Sequence, residues 1–191
     1  MKRLIFLSLL TMSVFASTLD AKPDVDLSMS NDTVCLALNL YHEARSERTA
    51  GMWAVGDVTI NRVKSSSFPN TICGVVTQGP TRESWKTIRF PDIPNEQRIY
   101  YPIRGKCQFS WWCDGKTDLP TEVDSWYRAL DIARLMIENE VGLGLTDGAD
   151  HYHADYIDPF WNDSMVLITT IGNHKFYKDI RSCLLYTSDA A

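Results

Sequence analysis

Apolar residues recur at helical spacing early in the body of the chain. Val34, Ala37, Leu38 and Tyr41 fall on one face of a helix expected over residues 33–45, with Asn31 or Asp32 where its N-cap belongs. Ser46, Glu47 and Arg48 make a short break. Thr49 is placed to cap a second helix that runs to about residue 65, with Trp53, Ala54, Val58 and Val63 turned inward. Phe68-Pro69-Asn70-Thr71 ends it, and residues 72–77 follow as a short helix or an extended piece. A third long helix runs to Asn139. Its stripe is Val123, Trp126, Tyr127, Leu130, Ala133 and Ile137, and Thr121 with Asp124 makes a capping-box-like start.

Beyond that helix the period changes. Gly142, Gly144 and Gly148 break the chain, and residues 152–157 read as a strand. Residues 166–171 and 174–178 flank Gly172-Asn173, a two-residue hairpin signal. Residues 79–106 are rich in Pro, Arg and aromatic side chains and show no period. A loop of that length in a compact domain is usually functional. The expected class is therefore α+β, several helices followed by a small antiparallel sheet.

The two ends stand apart from this body. Residues 1–16 have the layout of a signal peptide: Lys2 and Arg3, then an apolar run to Phe15, with cleavage after Ala16 or Ala21. The apolar run is short for a membrane span, so the expected product is exported, to the periplasm, cell envelope or medium, with no stable membrane span after cleavage. Residues 17–32 read as a polar linker. Residues 179–191 follow a finished strand without any period and read as an artefactual tail, translated from sequencing-adapter read-through. What remains, residues 33–178, is one domain of ordinary size.

The whole chain carries a net charge of −5; Lys2 and Arg3 contribute +2 and the stretch after Lys178 contributes −1, which leaves the body at −6. Phosphate binding relies on clustered Lys and Arg, so nucleic acid is not the expected partner. Four cysteines lie in the body, Cys35, Cys73, Cys107 and Cys113. Export permits disulfides, and four cysteines allow three pairings. The closeness of Cys107 and Cys113 favours one local staple, with Cys35 and Cys73 tying the first helix to the segment after the second. The alternative, a zinc site, lacks any Cys-x-x-Cys spacing.

The candidate chemistry centres on Glu43 in Tyr41-His42-Glu43-Ala44-Arg45. A carboxyl group on a helix that packs into a core is costly to ionise, and burial raises its pKa towards the range of a general acid. The competing reading is a solvated carboxylate paired with Arg45 or Arg48. His42-Glu43 begins like His-Glu-x-x-His, but Ser46 occupies the second His position, so a zinc peptidase is set aside. His151 and His153 form a possible ligand pair, expected to serve structure or substrate contact rather than a metal. No metal or cofactor is expected. No Gly-x-Ser-x-Gly elbow occurs. Glu47, a potential second carboxylate, lies among charged residues and is expected in solvent.

Three segments in order carry a resemblance. The first is Tyr41-His42-Glu43-Ala44-Arg45 with Asn61-Arg62-Val63 and Phe68-Pro69-Asn70-Thr71-Ile72-Cys73-Gly74; the second is Gln108-Phe109-Ser110-Trp111; the third is His151-Tyr152-His153-Ala154-Asp155-Tyr156 with Pro159, Trp161 and Ile171-Gly172-Asn173-His174. Over about residues 34–178 the chain resembles the cell wall hydrolase family that includes the spore cortex-lytic enzymes. The resemblance implies a lysozyme-like α+β domain that cleaves peptidoglycan glycan strands, with an acid at the end of the first main helix. Glu43 matches that position and would protonate the bridging oxygen between N-acetylmuramic acid and N-acetylglucosamine. Ser46 departs from the Gly of many relatives, and the 79–106 stretch is longer than in the shorter ones.

Two-carboxylate glycosidases need a partner acid. One acid without an obvious partner suits a lytic transglycosylase, in which the muramic acid 6-hydroxyl attacks in place of water. Substrate contacts are expected from Gln108 and Ser110 as hydrogen-bonding groups and from the faces of Phe109, Trp111, Tyr152 and Trp161, together with His153. Tyr41, Arg45, Asn61 and Arg62 are expected to support the site, and strand alternation would send one of Trp111 and Trp112 inward and the other outward. The expected partner is the peptidoglycan strand, bound by a monomer. The alternatives are a hydrolytic muramidase of the same fold, a non-catalytic wall-glycan binding module, and a metallohydrolase using His151 and His153.

Overall fold

The computed structural model describes residues 31–139 and 142–179. The signal segment, most of the expected linker and the tail beyond Asp179 lie outside the described residues. Asn31 and Asp32, expected in the linker, already belong to helix α1 (Asn31–Ala44), and Asp179, expected in the tail, ends the last strand.

Three long helices make the larger core. Helix α1 packs against both α2 (Thr49–Lys64) and α5 (Val123–Glu138). Leu36 and Leu40 of α1, Met52 and Val55 of α2, and Trp126, Ala133 and Met136 of α5 are fully buried together. Each large apolar side chain in such a cluster contributes roughly 1.5–3 kcal/mol on burial. The α2–α5 crossing is close at Gly56, where a Cβ would overlap the Met136 sulfur. The stripe of α5 is centred differently from the expected one. Tyr127 is exposed, while Ala129, Ile132 and Met136 face inward. Trp126, Leu130 and Ala133 are buried as expected, but they are flanked by Ser125, Ala129, Ile132 and Met136, each one position nearer the N-terminus than a residue of the expected stripe.

Neither expected cap operates. Thr49 is the first helical residue of α2, and Arg48 occupies the N-cap without a side-chain bond. At α5 the N-cap is Glu122, also without one. The Tyr41 hydroxyl instead accepts from the backbone N–H groups of Thr121 and Glu122, at 3.0 and 3.1 Å. A side chain from a neighbouring helix thus replaces the local capping box and ties α5 to α1.

The short helix α3 (Ile72–Val76) is capped by Thr71, whose hydroxyl accepts from Gly74 N–H at 3.0 Å. A disulfide between Cys35 and Cys73 fastens it to α1, and a second, between Cys107 and Cys113, closes the loop around the 3-10 turn Ser110–Cys113. In that turn strand alternation does not apply: Trp111 is buried and Trp112 half-buried against the same core.

The aperiodic stretch is not an open loop. Strands β1 (Thr81–Glu83) and β2 (Tyr100–Pro102) pair antiparallel, with the one-turn helix α4 (Trp85–Ile88) between them. Strands of three residues are too short to display alternation.

A three-stranded antiparallel sheet, ordered β3-β5-β4, closes the domain: β3 (His151–Ala154), β4 (Met165–Ile171) and β5 (His174–Asp179). Strand β3 is shorter than expected because the chain turns after Ala154, where Ile157 N–H returns to the Ala154 carbonyl at 2.9 Å. Gly172 and Asn173 form the β4–β5 turn, with Gly172 at φ +60°. Phe176 packs on Ala54, Val58 and Ala149, which seats the sheet on α2. The architecture is α+β, helices plus small antiparallel sheets.

Candidate active site

Helix α1 ends against the sheet, and that junction leaves a cleft of about 560 Å³. Glu43 lies in its wall, one residue before the last of α1. Facing it, Tyr152 on β3 donates its hydroxyl proton to Glu43 Oε2 at 3.2 Å. Burial raises the pKa of Glu43 above the usual carboxylate value, opposed by the Tyr152 hydrogen bond and by the charge of Arg62. Tyr152 is pushed well above its ordinary value, first by burial and then by the neighbouring carboxylate, so it stays a donor. Of the residues that line this cleft, Glu43 alone bears a carboxylate.

Arg62 forms the floor. It is buried, and its Nε donates to the Asp150 carbonyl at 2.6 Å. Its guanidinium lies 5.1 Å from the Phe68 ring centroid and 5.3 Å from that of Phe109. Burial lowers its pKa, while Tyr152, Asp150 and Glu43 act in the other direction. The Gln108 amide, turned with its oxygen towards the guanidinium, accepts from Arg62 Nη1 and Nη2 at 3.3 and 3.2 Å. Arg62 thereby links Gln108 on the loop side to the β3 side.

Gln108, Ser110, Trp111, Tyr152, His153 and Trp161 all line the cleft with Glu43. Phe109 does not. It is buried beneath Arg62 and offers no face to a substrate. His153 lines the wall, but both ring nitrogens are engaged, Nδ1 with the Ala154 carbonyl at 2.8 Å and Nε2 with the Tyr177 hydroxyl at 2.9 Å. His151 is paired through Nδ1 with Asp150 at 2.8 Å. Among the described residues no group of three His, Cys, Asp or Glu side chains is placed to hold a metal ion. One face of Trp111 is covered by the His42 ring, stacked at 4.5 Å, and its indole N–H donates to Asn39 Oδ1 at 3.2 Å.

The supporting residues divide. Asn61 Nδ2 donates to the Ala149 carbonyl at 2.8 Å and holds the chain entering β3. Tyr41 and Arg45 border a neighbouring groove of about 330 Å³, which meets the cleft across His42 and Trp111. Arg45 is exposed and bonds Glu122 at 3.0 Å.

Glu47 is not in solvent. Its carboxylate is buried and accepts from Asn173 N–H at 3.3 Å and from Asn173 Nδ2 at 3.0 Å. A Cβ on Gly172 would overlap it. His174 Nδ1 lies 3.7 Å away, and the His174 ring stands edge-on to Tyr152 at 5.3 Å. Burial lowers the pKa of His174 despite the attraction of Glu47 and Asp155. His42, Tyr156, Ile157, Pro159 and His174 also line the cleft and were not among the expected site residues. His42 adjoins Glu43 in sequence and could have been found there. His174 needed the strand register, which sets it opposite Ala154, two residues from Tyr152.

Over 46 residues, 24% of its length, this chain is 48% identical to the spore cortex-lytic enzyme of Bacillus cereus; that stretch is 18% of the relative's length. The fold is similar to the catalytic domain of the germination-specific lytic transglycosylase SleB from Bacillus anthracis, with TM-score 0.50 and 26% identity over 81% of this chain and 100% of that one. The catalytic domain of Bacillus cereus SleB gives TM-score 0.48, also at 26% identity, over 81% of this chain and 95% of that domain. The family model described as Cell Wall Hydrolase matches residues 46–177, beginning just after Glu43 and spanning more than half of the chain, so the chain belongs to the cell wall hydrolase family.

Proposed function

We propose that this is an exported peptidoglycan glycosidase that works as a lytic transglycosylase, with Glu43 as its acid and base. The observation that carries this reading is the pairing of Glu43 with its surroundings: a lone cleft carboxylate whose pKa burial has raised, held by the Tyr152 hydroxyl. In the first step the Glu43 carboxyl proton passes to the bridging oxygen as the bond from that oxygen to the muramic C1 breaks. The 6-hydroxyl of the same muramic residue then bonds to C1, and its proton returns to the Glu43 carboxylate. An anhydro ring closes, no water is consumed, and the acid is regenerated.

The common two-carboxylate hydrolytic route uses a partner acid to activate water or trap the sugar. Glu47, the nearest candidate in sequence, is committed to Asn173. The similar SleB catalytic domain from Bacillus anthracis belongs to a lytic transglycosylase, which points the same way. Export rests on the basic and apolar start of the chain, and the two disulfides suit an oxidising compartment. Among the described residues no helix is long and apolar enough to cross a membrane.

The test is mass spectrometry of fragments released from purified peptidoglycan by the wild type and by Glu43→Gln. Anhydromuramic ends, absent with the variant, are expected. Reducing muramic ends would mean hydrolysis. Binding without release from either protein would favour a wall-glycan binding module.

A further inference from the structure

The hairpin formed by β1, α4 and β2 plays no part in the cleft, yet it leaves four aromatic side chains exposed. Trp85 is 61% exposed, Phe90 59%, Tyr100 52% and Tyr101 51%. Two of them, Trp85 and Tyr101, border the same hollow, and adjoining exposed apolar faces can mark a ligand site. The hairpin's charge is equally distinct. Residues 79–106 carry six basic and three acidic side chains in a chain whose net charge is −5. Of the three acids, Glu83 is taken by Arg98 at 2.7 Å.

We propose that this hairpin is a second binding platform for the peptidoglycan strand, taking sugar faces on Trp85 and Tyr101 and the carboxylates of stem peptides on Arg82 and Lys86. The inference rests on the glycosidase reading above. Arg82 stands directly opposite Tyr101 in the β1–β2 register, so the two side chains leave the same face. A hollow of about 340 Å³ is lined by these four residues together with Glu83 and Ser84. The Arg89 guanidinium lies 4.6 Å from the Trp85 ring centroid and steadies the indole.

Continuity selects the occupant. A groove of about 540 Å³ at the foot of the hairpin, between Gln78-Gly79-Pro80 and Lys106-Cys107-Gln108, shares Gln108 with the Glu43 cleft. In the proposal, a polymer leaving the cleft past Gln108 follows this groove to the foot of the hairpin, on which the hollow at Trp85 and Tyr101 lies further along. The platform is also built in advance. Ser84 N–H donates to the Ile99 carbonyl at 2.7 Å, the Ser84 hydroxyl caps Lys86 N–H at 3.2 Å, and Ile103 N–H donates to the Pro80 carbonyl at 2.9 Å. Little ordering is left to oppose binding.

The experiment measures sedimentation with purified sacculi in the Glu43→Gln background, which binds without cutting. W85A/Y101A is expected to weaken the apparent affinity about tenfold, as loss of two stacking contacts would. R82E/K86E is expected to weaken it at low salt and to flatten its salt dependence. The charge variant keeps the aromatic surface, so it stands as evidence even if the double alanine variant unfolds. Unchanged affinity in both would overturn the proposal, as would stronger partition of the Glu43→Gln protein onto anionic phospholipid vesicles than onto sacculi. Failure of the glycosidase reading looks different: protein with Glu43 intact would release no fragments, while sacculus binding and its sensitivity to the hairpin variants persisted.

Discussion

Glu43 and Glu47 stand four residues apart at the same end of α1, and the structure puts them to opposite uses. The region around Glu43 is an open cleft in which one hydroxyl meets the carboxylate and burial raises its pKa. The region around Glu47 is a closed joint, where the α1–α2 turn meets the β4–β5 turn and Asn173 supplies both a backbone and a side-chain donor. A carboxylate surrounded by donors is held rigid, so it fastens two segments. A carboxylate with one donor and an open face can exchange its proton with a substrate. What differs is not the residue but the backbone that arrives opposite it.

Glu43→Gln gives the sharpest break in that comparison. Release of fragments from peptidoglycan is expected to fall by about a hundred- to ten-thousandfold, the scale of a lost general acid. Stability should move the other way. Because burial raises the folded pKa of Glu43 above its usual 4.5, the folded protein keeps this proton to higher pH than the unfolded chain. Wild-type stability therefore falls as pH rises from the unfolded value through the raised one, and stays lower above it. The variant lacks this contribution, so its melting temperature should match or exceed that of wild type at pH 7, with the difference closing in acid. A lower melting temperature at neutral pH would mean that Glu43 is a structural carboxylate like Glu47.

Glu47→Ala should show the reverse profile. It leaves the Asn173 donors without a partner in a buried joint, at a cost of about 1–3 kcal/mol read by denaturant unfolding. Fragment release per folded molecule should survive within about tenfold. Full stability with abolished release would place Glu47 in the chemistry and undo the distinction. Gly172→Ala probes the same joint from the other strand. It forces a Cβ against Glu47 at φ +60°, and a loss of about 1–2 kcal/mol is expected.

The same contrast explains what could be read from the chain before folding. Helices α1, α2 and α5 and the β4–β5 hairpin were legible because their signals are local: a repeated spacing, or Gly172-Asn173 between two strands. Glu47 was misread because its partner lies 126 residues later. The caps were misread for a related reason, since Tyr41 from another helix does the work that Thr121 and Asp124 were expected to do. Strands β1 and β2 escaped because three residues cannot show a period. Glu43 was singled out within Tyr41-His42-Glu43-Ala44-Arg45, and Gln108, Ser110, Trp111, Tyr152 and Trp161 line the same cleft. Phe109 was not separable from them, because only the fold shows that Arg62 sits on its ring.

Tyr152→Phe is the mildest change and the most specific. It keeps the ring against Phe176 and His174 and removes only the hydroxyl that bonds Glu43. That bond favours the ionised carboxylate, so its loss should raise the pKa of Glu43 further. The first step needs Glu43 protonated, and activity therefore falls as pH rises through its pKa. The variant's alkaline limb should move to higher pH, while its rate at the optimum stays within about tenfold of wild type. A structural role for Tyr152 alone would lower the whole profile without moving the limb. A limb shifted towards acid would mean that the Tyr152 hydroxyl keeps the proton on Glu43 rather than drawing it off.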